Sequence, residues 1–119
     1  MANQLPWSSK RMSAWSVSKM SELTQAQQDK LDAAAFRRLL SHLDNRKDVQ
    51  NIDLMILADF CRNCLGDWYR EAAVAEGLEI SKEDARARVY GMPYSEWKAN
   101  HQTEATPEQM AAFNARKPS

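Results

Sequence analysis

One stretch limits the folds open to this chain more than any other: Asn51–Gly77, NIDLMILADFCRNCLGDWYREAAVAEG. It is the longest apolar run with a helical period, and it holds both cysteines. Set out at ~100° per residue, Leu54, Leu57, Cys61, Cys64, Leu65, Trp68, Ala72 and Ala75 share one broad face. Asp59, Arg62, Asn63, Gly66 and Arg70 line the opposite one. Ile52, Met55, Ile56 and Phe60 spill beyond the stripe, so the first half is apolar nearly all round. A helix of that kind is buried on more than one side. The expectation is a single central helix, capped by Asn51 and closed by Gly77. Other helices would cover it, and in a chain this short a second copy would supply further cover.

Breakers are scarce, with three glycines and four prolines in 119 residues. Val and Ile are sparse beside Ala, Leu, Met, Glu, Gln, Lys and Arg, a balance that favours helices over strands. The fold class expected is all-α: a small single-domain bundle of four to five helices around the central one. The formal net charge is zero. Residues 1–20 carry Lys10, Arg11 and Lys19 and no acid, which leaves the rest of the chain three charges negative. Nothing in that distribution draws the domain to nucleic acid or to an anionic membrane. No apolar run approaches the ~20 residues of a membrane span. Two cysteines three apart are not a secreted disulfide framework, so a cytoplasmic protein with reduced thiols is expected.

Residues 1–19 are serine-rich and basic, with Trp7 and Trp15 isolated and no persistent period. They read as a disordered extension. Met20 opens MSELTQAQQDKL, which reads as a start leading directly into a helix, so residues 1–19 can equally be an over-called upstream start to a helical domain at 20–119. A first helix is expected from about Thr24 to Leu43, with Phe36, Leu39, Leu40 and Leu43 on its apolar face and His42 at the edge. DNRKDVQ at 44–50 is a polar connector with neither a glycine-rich phosphate cradle nor a calcium-loop spacing. Ser81 followed by Asp84 resembles a capping box for a short helix over 82–90, which Gly91 and Pro93 end. Ser95 to about Asn100 forms a further turn. Thr106-Pro107-Glu108-Gln109 is a clear helix start, and that last helix offers Met110 and Phe113 to the core. Trp68, Tyr69, Tyr90, Tyr94 and Trp97 read as one aromatic cluster, and His101 as a surface residue. Asp59–Arg62 and Asp67–Arg70 read as solvated i, i+3 pairs.

DAAAFRRLLSHL (32–43), DVQNIDLMILADFCRNCLGDWY (48–69) and YGMPYSEWK followed by TEATPEQ (90–109) together resemble a family of short bacterial proteins, domain of unknown function 1244. The resemblance covers roughly residues 24–112 and implies a small all-helical domain with no activity to carry over. The family pattern begins close to Met20.

Three readings of Cys61-x-x-Cys64 compete. Both thiols can be small buried hydrophobes, since free cysteine is among the most buried residue types. They can be two ligands of a zinc-like ion, with His42 from the preceding helix as a third and a carboxylate such as Asp59 as a fourth. Alternatively, a symmetric dimer can join two pairs into a Cys₄ site. The third reading is thiol redox chemistry or a cysteine-dependent enzyme, including a Cys64–His42 dyad. Against redox, a continuous helix puts the pair about three turns in, away from the helix start that lowers a thiol pKa. The residues favour a cytoplasmic helical interaction protein forming a homodimer, without a resident cofactor or catalytic residues. Metal binding is the first alternative.

Overall fold

The computed structural model describes residues 22–116. The expectations for residues 1–19 and for a start at Met20 lie outside the described residues. All regular structure among the described residues is helical, in six helices. The chain divides between Arg38 and Leu39 into two compact units.

Helix α1, Gln25–Asp44, begins at Thr24. The Thr24 hydroxyl accepts from the Gln27 amide, and the Gln27 side chain accepts in return from the Thr24 amide. Of the expected apolar face, Leu40 and Leu43 are buried and Phe36 and Leu39 half-buried. The connector carries an exposed Arg46–Asp48 pair and Lys47 beside Asp44.

The expected central helix is two helices. Helix α2, Asn51–Ala58, stops at Asp59, the one non-glycine residue with positive φ among the described residues (φ 59°, ψ 27°). Cys61 is fully extended, and helix α3 starts afresh at Arg62 and runs to Ala75. No glycine or proline marks this break. Asp tolerates the left-handed region better than most residues, and its carboxylate is held 2.6 Å from Nη1 of Arg116. The break resets the helical phase. The buried face of α3 carries Arg62, Leu65, Gly66 and Ala73, so the face assigned to solvent is in part the inner one. Leu57 and Trp68, assigned to the core, are 81% and 54% exposed. Ala72 and Ala75 also face out. Asp59–Arg62 and Asp67–Arg70 do not form as pairs: Asp59 takes Arg116, Arg62 turns inward, and Arg70 donates to the Ile80 carbonyl.

Gly77 closes α3 with φ +73°. Leu78 N–H bonds to the Ala73 carbonyl and Gly77 N–H to that of Val74, a Schellman arrangement. Helix α4, Lys82–Tyr90, starts at Ser81, whose hydroxyl accepts from the Asp84 amide, and ends on Gly91 in the left-handed region. Helix α5, Tyr94–His101, follows Pro93, and helix α6, Pro107–Ala115, follows a complete Thr106/Gln109 capping box. Helix α3 packs on α4, α2 on α6, and α4 on α5. At Gly66 α3 approaches α4 closely, since a Cβ built there would lie 3.5 Å from the Arg86 Cα. Ala85, Val89, Tyr90 and Trp97 form the core with Leu54 and Leu65.

The aromatic cluster divides. Tyr90 contacts both Tyr94 and Trp97 at ring-centroid distances of 5.1 and 5.0 Å, and Trp97 contacts His101, which is half-buried rather than on the surface. Trp68 instead stacks on Phe60 at 6.5 Å. Met110, expected in the core, is exposed.

Candidate functional site

The break after α2 puts the two cysteines at the start of a helix. Cys61 is the N-cap residue of α3 and Cys64 its third helical residue, with their sulfurs 3.7 Å apart. At i, i+3 the side chains of a first turn lie side by side, and the extended backbone of Cys61 turns its thiol back over that turn. A disulfide bond of ~2.05 Å requires the sulfurs to close by roughly 1.6 Å, within reach of side-chain rotation.

The two thiols differ in access. Cys61 is buried, at 9% exposure, and Cys64 is half-buried. Burial pushes the Cys61 thiol above its ordinary range. The backbone N–H groups of Cys64 and Asn63 oppose that by favouring the thiolate, while the neighbouring Cys64 side chain adds to the rise. The helix start therefore acts on Cys61, but desolvation outweighs it.

The N-cap thiol makes no side-chain capping bond. One freed donor of α3 is met from α2: Asn51 Oδ1 accepts from the Arg62 amide at 3.2 Å. Asn51 therefore caps the second helix and not its own, whose N-cap is Gln50. Asn51 Nδ2 donates to the Tyr90 hydroxyl at 2.9 Å, and that hydroxyl donates to Asn63 Oδ1 at 2.8 Å. Burial drives the Tyr90 phenol well above its ordinary range. Beside the pair, Arg62 is 2% exposed. Its guanidinium donates to the carbonyls of Val49 (2.7 Å) and Arg46 (2.9 Å) and to Asn51, and lies 4.9 Å from the Trp97 ring centroid. Burial lowers its pKa, opposed by Tyr90, Cys61 and Asp48.

The structure brings Cys61 and Cys64 together and does not gather His42 with them. His42 is exposed on α1, and no group of three or more His, Cys, Asp or Glu that could hold a metal occurs among the described residues. Asp59, the other candidate ligand, is bound to Arg116. Two thiols are half of a tetrahedral zinc set, and among the described residues no further ligand is gathered beside them. Asn51, Arg62, Asn63 and Tyr90, which fix the start of α3, carry no sequence signal of that role. Arg62 and Asn63 belong to the face assigned to solvent, and Asn51 reads only as a local cap.

A helical domain whose thiol pair opens a helix is the class that fold and site define. The profile of a family described as "Protein of unknown function (DUF1244)" matches residues 49–115, more than half the chain, and the chain belongs to that family. The match starts in the connector before α2 and takes in both cysteines, and α1 precedes it. No curated protein matches the chain. No helix among the described residues is long and apolar enough to cross a membrane.

Proposed function

We propose that the protein is a thiol–disulfide exchange domain, in which Cys61 and Cys64 cycle between dithiol and disulfide against a disulfide-bearing molecule. The observation that carries this reading is the 3.7 Å sulfur separation at the start of α3. C-x-x-C pairs at helix starts are a redox-active arrangement. A cytoplasmic setting, where thiols are kept reduced between turnovers, suits it. The test is equilibration in glutathione redox buffers spanning about −120 to −300 mV, with the remaining thiols alkylated and counted by intact mass. The expected result is a cooperative loss of two alkylation sites within that window, abolished by Cys61→Ser or Cys64→Ser. Both sites remaining alkylatable throughout would end the reading.

A second reading, a homodimer joined through α2, is favoured by Leu57. That residue is 81% exposed, next to the half-buried Ile56. Light scattering at tens of micromolar, on the wild type and Leu57→Glu, tests it. A dimer that the glutamate splits is expected, and a monomeric wild type ends the idea.

A further inference from the structure

We infer that exchange runs through Cys64, whose sulfur attacks the incoming disulfide, and that Cys61 is the resolving thiol. This rests on the exchange reading above and assigns the roles within it. Position alone points the other way, because Cys61 occupies the N-cap, where a helix start most favours a thiolate. Access reverses the order. Attack on a disulfide needs the attacking sulfur, the sulfur attacked and the leaving sulfur nearly in line, so the partner must reach the nucleophile from outside. Cys61 is buried, 9% exposed, whereas Cys64 is only half-buried. Trp68, 54% exposed, lies one turn beyond Cys64 on the same side of α3 and stacks on Phe60. The open approach to the pair is therefore the Cys64 side.

The exchange balances as follows. Cys64 loses its proton to solvent, and its thiolate attacks one sulfur of R–S–S–R′. The Cys64–S–S–R bond forms, the S–S bond breaks, and R′–S⁻ leaves and takes up a proton. Cys61 then loses its proton and attacks Cys64 Sγ. The Cys61–Cys64 bond forms and R–S⁻ leaves to be protonated. Two thiols of the protein are oxidised by two electrons, and one external disulfide is reduced to two thiols. The second step is prepared by the first. The Cys64 thiol is one of the groups holding the Cys61 pKa up, while the amides of Asn63 and Cys64 pull it down. Once Cys64 is in a mixed disulfide, its share of the upward push is gone and the amides remain.

The test uses glutathione disulfide as the probe, with the full chain at neutral pH. Short exposure of the wild type, acid quench and tryptic mapping locate the first adduct, since cleavage after Arg62 separates the two cysteines. The first glutathione is expected on Cys64. Cys61→Ser should accumulate that mixed disulfide, and Cys64→Ser should be modified slower by roughly tenfold or more, in line with thiol access. A first adduct on Cys61, or Cys64→Ser reacting as fast as Cys61→Ser, overturns the order while leaving exchange intact. A wild type that keeps glutathione on Cys64 and never forms the internal disulfide overturns both. The wild-type map does not depend on either variant folding.

Discussion

Helices α3 and α6 begin in opposite ways. At α6, Thr106 and Gln109 satisfy each other's amides, and Gln109 also reaches Asp53 of α2. At α3, the cap position holds a thiol that makes no capping bond, and the helix is fixed instead by Asn51 from α2 and by Arg62. The first start is built for stability from neighbours in sequence. The second is held from a distance, which leaves its sulfur free of a capping bond. A helix start relieved of capping by other residues is one at which reactive side chains can stand.

The largest expected effect follows from how α3 is held. Arg62→Ala removes a buried guanidinium that donates to the carbonyls of Val49 and Arg46, and it should destabilise the protein by about 3 kcal/mol in urea denaturation. A loss no greater than that of a cap would mean that Arg62 is not what anchors the start. Next, Tyr90→Phe breaks the bridge between Asn51 and Asn63 and should lose about 1.5 kcal/mol. Thr106→Ala should lose about 1 kcal/mol, confined to the local box.

Alkaline pH separates the two starts further. Cys61 and Tyr90 both have folded pKa values raised above their ordinary 9.0 and 10.0. The native state therefore holds those protons more tightly than the unfolded chain. The stability they contribute is complete below about pH 9 and falls as pH rises through the ordinary thiol and then phenol ranges. Urea midpoints measured from pH 7 to 11 should decline, with Cys61→Ser flattening the lower part of the fall and Tyr90→Phe the upper. Thr106→Ala should shift the whole curve without changing its slope.

The same contrast decides what could be read from sequence. Ser81, Gly91, Thr106 and Pro107, and Gln109 in its capping bonds, act through residues at most four positions away, and their starts and stops stand where the sequence puts them. The all-α class and family membership were legible for similar reasons, in a composition poor in breakers and in the DVQNIDLM and FCRNCL strings. The break at Asp59–Cys61 was not. Its determinants are Arg116 at 57 positions' separation and an Asn51 side chain that skips its own helix. Reading through the break carried the helical phase onward, turned Arg62 and Gly66 outward, and put Cys61 in mid-helix. The position of the pair, one of two objections to redox chemistry, rested on that error; the other, the lack of a strand beside the pair, stands among the described residues.

The smallest expected effect bears most directly on the contrast. Cys61→Ser puts a strong N-cap residue at the start of α3. Its hydroxyl can accept from the first-turn amides that the thiol leaves without a side-chain capping bond. Against that gain stands the desolvation of a hydroxyl at a site only 9% exposed. The two should nearly cancel, leaving stability within about 0.5 kcal/mol of wild type, while formation of the internal disulfide is lost completely. A loss of about 2 kcal/mol or more would mean instead that the thiol serves as core filling. The difference between the α3 and α6 starts would then be one of packing alone. Stability unchanged and the internal disulfide abolished would mean that oxygen serves the fold at this position as well as sulfur does, and that sulfur at residue 61 matters for what it can bond to.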